Sequence, residues 1–277
     1  MNRDYVVALF GLEGKVAVVT GGGGVLCGAM SRALGLAGAR VAVLDLVPEA
    51  AQKVADSITA DGGEAIAIGC DVLERGSLEA AAQMALSVFG RVDILINGAG
   101  GNKRQATTNA ELPFFDLPAD AVQWVFSLNF LGTLLASQVF GRLMAERLEG
   151  AILNISSMNA FRPLTRIPAY SAAKAAVSNF TQWLAVHMAQ EYSPRIRVNA
   201  IAPGFFLTEQ NRFLLTDAAT GSPTPRGQTI IAHTPAGRFG APEDLISAML
   251  WLLSPGASFV TGVVVPVDGG FSAFSGV

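Results

Sequence analysis

Residues 16–37 read VAVVTGGGGVLCGAMSRALGLA, and this stretch decides the fold. Val16–Thr20 is a short β-branched run of the kind that fills a buried strand. Gly21–Gly24 interrupt it, and an Ala/Leu-rich segment running to about Ala37 then has the composition of a helix. Glycines let the backbone turn sharply and approach a pyrophosphate, whose charge the helix N-terminus stabilises. A glycine run alone is as compatible with an ordinary turn. Its place between a strand and a helix makes Thr20–Gly24 a candidate nucleotide site.

The alternation continues in both directions of the argument. Strand candidates are Val16–Thr20, Val41–Asp45, Ala65–Gly69, Asp93–Asn97, Ala151–Ser156, Ile196–Ala200 and Val263–Val267, with helical stretches between them. Parallel strands need crossover connections, so this pattern predicts an α/β fold, a doubly wound, seven-stranded, mostly parallel sheet with helices on both faces. A length of 277 residues suits one domain, residues 1–277, with 1–14 as a lead-in that lacks the features of a signal peptide. About half the residues are apolar and the net charge is −3, which supplies a core and argues against a nucleic-acid partner. Ala121–Gly141 carries no charge, but Gln123, Ser127, Asn129, Thr133, Ser137 and Gln138 interrupt it, so no membrane span is expected. Two cysteines, Cys27 and Cys70, make neither a metal cluster nor a disulfide framework, and the cytoplasm is the expected compartment.

Asp45 closes the second strand candidate, where such folds place the acid that bonds the adenosine ribose hydroxyls. A carboxylate there repels a 2′-phosphate, so NAD is expected rather than NADP. Asp71, after the third strand, is a weaker candidate for the adenine side, with Val72 beside it.

Tyr170-Ser171-Ala172-Ala173-Lys174 is a Tyr-x-x-x-Lys sequence with Ser157 thirteen residues upstream. Asn97-Gly98-Ala99-Gly100 follows the fourth strand, Asn129 lies in the next helix, Pro203-Gly204 follows the sixth strand and Asp268-Gly269-Gly270 stands near the end. In this order the chain resembles the short-chain dehydrogenase/reductase family from Lys15 to about Phe271, which implies a Rossmann-type fold and an NAD-dependent oxidoreductase. The resemblance implies cofactor contacts from Gly21, Gly24, Val25, Asn97, Gly98, Ala99, Pro203, Gly204 and Thr208, besides Tyr170 and Lys174. It also implies that Asn129 connects Lys174 to solvent through a water. The glycine turn departs from the family's spacing, with Val25 and Cys27 at two glycine positions. The expectation is that Gly24 supplies the flexible turn, Val25 covers the diphosphate and Cys27 tolerates close helix–strand packing as a buried, inert thiol.

The chemistry follows from the residue types. Pro168 suits the first turn of a helix that sets Tyr170 and Lys174 one turn apart on one face. A free phenol has a pKa of about 10. The Lys174 ammonium, together with the positive nicotinamide of the oxidised cofactor, is expected to lower that of Tyr170, which would then exchange a proton with an alcohol or ketone. Ser157 would hold the substrate oxygen while the nicotinamide carries the hydride.

Substrate and assembly complete the expectations. Segments 154–161, 204–212 and 21–27 resemble the D-mannonate oxidoreductase branch of the family, which implies a small sugar-acid substrate such as D-mannonate or D-fructuronate. Lys103, Arg104, Arg162, Arg166 and Arg212 are expected to surround one mouth and hold a carboxylate, with Asn102, Asn159, Glu209 and Asn211 for hydroxyls. A neutral polyol, gluconate or 3-ketoacyl substrate is the alternative within enzymes, and a non-catalytic nucleotide-binding protein the alternative outside them. Residues 209–236, rich in Pro and Gly, are expected to be a substrate lid. The uncharged helices predict burial against other copies of the chain, and the family resemblance implies a homotetramer.

Overall fold

Alternate residues of each central strand feed two different cores. Ala17, Val19, Val41, Val43, Ile94, Ile96, Leu153 and Ile155 face one side, while Val16, Val18, Ala42, Leu44, Leu95 and Ile152 face the other. A period of two with both faces buried is the mark of a parallel sheet covered on each side. The computed structural model describes residues 3–208, 212, 214–217 and 220–276. Its strands are β1 (Val16–Thr20), β2 (Arg40–Asp45), β3 (Ala65–Gly69), β4 (Ile94–Asn97), β5 (Gly150–Ile155), β6 (Ile196–Pro203) and β7 (Val264–Val267). They form one seven-stranded sheet in the order β3-β2-β1-β4-β5-β6-β7, every pair parallel.

The helices are α1 (Arg3–Ala8), α2 (Val25–Leu36), α3 (Pro48–Ala60), α4 (Arg75–Phe89), α5 (Ala119–Phe126), α6 (Gly132–Arg147), α7 (Pro168–Glu191), α8 (Pro225–Ala232) and α9 (Ile246–Leu253). The first core collects residues of α2, α3 and α9, and the second those of α4, α6 and α7. The chain leaves β1 toward β2 and β3, then returns to place β4 on β1's other side. That reversal opens a crevice at the carboxyl ends of β1 and β4, where ligands of doubly wound sheets bind.

The uncharged stretch is part of a helical run from Ala119 to Arg147, long and apolar enough to cross a membrane, half of whose most apolar window is buried inside the protein. Between α5 and α6 it widens into a π turn at Ser127–Leu131, where Asn129 Nδ2 donates to the Val125 carbonyl one turn back. The Pro/Gly-rich interval holds a helix that its composition concealed. Thr224 Oγ1 accepts the Gly227 N–H and Pro225 takes the first helical position, so α8 starts on an N-cap and a proline.

Candidate active site

At the end of β1, Gly21 adopts φ +64, and a side chain there would begin 2.8 Å from the Ala99 Cα. Only glycine fits. The expected flexible residue, Gly24, is instead extended, with φ −73 and ψ 163, and caps the start of α2. The turn is therefore made at its first glycine, because β1 must reverse hard against the β4 loop. Val25 opens α2 with its side chain exposed to the groove rim, and buried Cys27 fills the space that a side chain on Gly98 would need. Burial pushes the Cys27 thiol up to about 12, so it is unreactive at neutral pH.

Asp45 lies at the end of β2 beside this turn. One carboxylate oxygen accepts the Gly23 N–H at 3.0 Å and the other the Val47 N–H at 3.0 Å. Thr20 Oγ1 accepts the N–H groups of Gly98 and Ala99 at 3.1 and 3.3 Å, tying the ends of β1 and β4 together. Asp71 caps its own turn through the Leu73 N–H, and Val72 is buried against Gly132. Asn97 does not turn its side chain to the groove. It is buried, and its amide donates to Ser137 and Asn154. The end of β6 places Pro203 in the interior and Gly204 beside Asp268, the Gly204 N–H donating to the Val267 carbonyl. Thr208 is half-buried.

Ser157 follows β5, buried and extended, and its Oγ accepts the Asn159 N–H at 3.3 Å. Pro168 starts α7, so Tyr170 and Lys174 sit one turn apart, with the Lys174 Nζ 5.5 Å from the Tyr170 ring centre. The Lys174 ammonium donates to the Ile155 carbonyl at 2.8 Å. Burial brings its pKa down to about 8. Burial raises the Tyr170 phenol above its ordinary value, which the Ser157 hydroxyl partly offsets. The ammonium thus lies between the Tyr170 ring and the Ile155 carbonyl. Asn129 is fully buried and holds Gly101 on both sides, accepting its N–H at 3.1 Å and donating to its carbonyl at 2.6 Å. A side chain on Gly100 would begin 2.6 Å from Asn129 Oδ1 and 3.3 Å from Lys174 Nζ, so Gly100 passes between the two.

Among the described residues the expected cations differ in their settings. Lys103 lies over the Trp124 ring at 4.8 Å, and Arg162 Nε donates to the Ser272 carbonyl at 3.2 Å. Arg104 is exposed in a single turn, Arg104–Ala106, and Arg212 is exposed. Asn102 is bonded to Thr107. Arg166, at φ +76, lines an open cavity of about 540 Å³ with Asn159, Thr108 and Phe114. The α7 residues on that cavity are Pro168, Ser171, Ala172 and Ala175. At about 100° per residue they share a helix face turned away from Tyr170 and Lys174. Arg166 and Asn159 thus face a hollow on the far side of α7 from Tyr170 and Lys174. Glu209 and Asn211 lie outside the described residues. The sequence reading gave no part to segment 105–118, whose Thr108 N–H donates to the Arg166 carbonyl at 2.8 Å. Its signal was Leu112-Pro113-Phe114-Phe115, an apolar tip in a polar loop, with Phe115 91% exposed.

Comparison with known proteins places this geometry. Residues 26–272 match the family model described as Enoyl-(acyl carrier protein) reductase. The Bacillus subtilis protein UxuB, an uncharacterized oxidoreductase, is 53% identical over 96% of this chain and 98% of its own length. The 5-keto-D-gluconate 5-reductase of Escherichia coli K12 is 32% identical over 95% and 97%. A crystal structure from Haemophilus influenzae, described as a candidate D-mannonate oxidoreductase with bound NAD, is 49% identical and superposes with a TM-score of 0.91, covering 98% of this chain and all of that one.

Proposed function

The chain belongs to the short-chain dehydrogenase/reductase family and is an NAD-dependent oxidoreductase acting on alcohol groups, and from that premise we propose that it interconverts a secondary alcohol and a ketone on a sugar acid, D-mannonate and D-fructuronate first among them. The observation that carries the reading is the cluster of Ser157, Tyr170 and Lys174 at the ends of β5 and α7, beside the glycine turn. The likeness to the Haemophilus influenzae protein, and to a reductase of keto-gluconate, supports the substrate class.

Gly21, Gly24 and Val25 would cradle the diphosphate, and the half-buried Asp45 would accept the ribose hydroxyls, with Asp71 and Val72 on the adenine side. Gly98, Ala99 and the backbone of Asn97 would wall the groove, while Pro203, Gly204 and Thr208 would meet the nicotinamide. When bound, the cofactor supplies or takes the hydride. The chain's own residues move the proton. Ser157 Oγ holds the substrate oxygen and Tyr170 Oη gives its proton to that oxygen during reduction, or takes it during oxidation. Lys174 places positive charge beside the phenol, and Asn129, through Gly100–Gly101, orders the wall across from it. Carboxylate recognition would fall to Arg104, Arg162 and Arg212, with residues 209–236 closing as the lid; Lys103 lies over Trp124 and Arg166 faces the cavity on the far side of α7. The enzyme would act in the cytoplasm as a homotetramer.

The test compares NADH-dependent reduction of D-fructuronate, 5-keto-D-gluconate, D-fructose and an acetoacetyl thioester. Highest kcat/KM on D-fructuronate supports the reading. Preference for 5-keto-D-gluconate keeps the sugar acid and rejects mannonate, and preference for either of the last two rejects the sugar acid.

A further inference from the structure

Under the candidate active site the layer between sheet and helices turns polar. Leu95 and Ile152 face α6 and α7 in the usual apolar way, but the next residues on that face toward the site are Asn97, Asn154 and Ser156, none more than 2% exposed. Asn97 Nδ2 donates to Ser137 Oγ on α6 at 2.9 Å and to Asn154 Oδ1 at 2.8 Å. Asn154 Nδ2 donates to Thr181 Oγ1 on α7 at 2.8 Å, and that hydroxyl donates to the Val177 carbonyl. Ser156 Oγ donates to the carbonyl of Lys174 at 3.2 Å and pairs with Ser178 Oγ at 2.7 Å. Lys174, Ser178 and Thr181 are successive turns of one helix, so β5 grips α7 at three levels.

Apolar contacts let a helix slide with little change in energy. Directional bonds between buried groups do not, because each buried amide or hydroxyl left unpaired costs about 1–3 kcal/mol. A slip of one residue would move α7 by about 1.5 Å and carry Lys174 Nζ off the Ile155 carbonyl.

We propose that Asn154 and Thr181, with Ser156, are positioning residues: their bonds fix the axial register of α7 on β5 and so hold Lys174 Nζ against the Ile155 carbonyl beside Tyr170. The functional consequence rests on the reading of Lys174 and Tyr170 given above; the register itself does not. The chain has four lysines, Lys15, Lys53, Lys103 and Lys174, so protein grown with 13Cε-labelled lysine gives a simple spectrum in which Lys174→Met identifies the Lys174 signal. Thr181→Val keeps the side-chain volume and strands Asn154 Nδ2; Thr181→Ser keeps the hydroxyl. In Thr181→Val the Lys174 signal should titrate about half a pH unit or more closer to an ordinary lysine. It should return to the wild-type value in Thr181→Ser. Thr181→Val should also lose about tenfold in kcat with the KM for NADH changed less than about twofold. An unmoved Lys174 titration in Thr181→Val overturns the proposal, even if the protein melts earlier, because the bond would then only stabilise. If Thr181→Val does not fold, Ser156→Ala, which removes the bond to Lys174's own carbonyl, is judged by the same shift. Wild-type kcat in Lys174→Met would instead sink the catalytic reading and leave the NMR result to decide the register alone.

Discussion

Lys174 shows what burial does to one charge. Its pKa of about 8 against an ordinary 10.5 means that between these values the unfolded chain binds a proton the folded one lacks, so stability rises with pH across that window. Lys174→Met should remove the rise. The measure is the gap between wild-type and variant melting temperatures from about pH 7.5 to 10.5, and parallel curves would refute it. The gap is the right quantity because Cys27, held at about 12, acts in the opposite sense above about pH 9 in both proteins. Asp45 sets the second expectation at this scale. Its carboxylate is oriented by two N–H groups, so NADH should be preferred over NADPH, and Asp45→Ala should cut that preference about tenfold or more in kcat/KM. Equal use of the two cofactors by the wild type would end the assignment. Tyr170, Lys174 and Ser157 were legible in the sequence because the spacing of a helix and the end of a strand are local facts. The sign of φ within four consecutive glycines was not legible, since residue type is the same at each and only the contact with Ala99 selects Gly21. Nor were the partners of the cations, because Trp124 and Ser272 meet Lys103 and Arg162 only after folding.

Elements are held as much at their ends as along their faces. Arg197, buried in β6, donates to the carbonyls of Leu252 at 2.6 Å and of Leu253 and Ser254 at 3.2 Å, so one guanidinium closes the C-terminus of α9 and faces its negative dipole end. Arg197→Met should cost about 3 kcal/mol, because three buried carbonyls lose their donor. Urea unfolding reads this directly, and a loss below about 1 kcal/mol would show that water replaces the arginine. The proposed lid makes a different demand. Leu215 and Ile230 are buried while Asp217, Thr220, Gly221 and Ser222 between them are exposed, so cleavage within 209–236 should slow when NADH and the preferred keto acid are present together. Unchanged cleavage would leave a passive surface loop. The strands were readable to within about a residue at most ends because turn residues bound them, but β6 runs on to Pro203 since pairing with β7 extends it. α8 escaped the reading because prolines and glycines around it outweighed a Thr-Pro start of only two residues.

At the scale of the whole molecule, a row of rings crosses α5, the π turn and α7: Phe126 to Phe130 at 5.6 Å, Phe130 to Phe180 at 5.8 Å, Phe180 to Trp183 at 6.2 Å and Trp183 to His187 at 4.8 Å. Trp183 is 57% exposed and Val186 56%, on a helix with no charge between Lys174 and Glu191. Such a face is expected to be covered by further copies of the chain. Light scattering at micromolar concentration should find a tetramer, and Trp183→Asp should shift it to smaller species; a wild-type monomer would refute the assembly. The charge-free stretches were visible in the sequence, whereas the alignment of their rings into one row needed α5 and α7 side by side. The order of the strands has a further consequence for how the protein is made. Val18 pairs with Leu95 and Ala200 with Val264, so partners in the sheet are separated by long runs of chain, and the sheet is finished only once β7 has been made. Gly204 packs on Asp268, so the β6 side of the groove also waits for residues that follow β7. Until they are in place, apolar strand edges are open to chaperones and to aggregation.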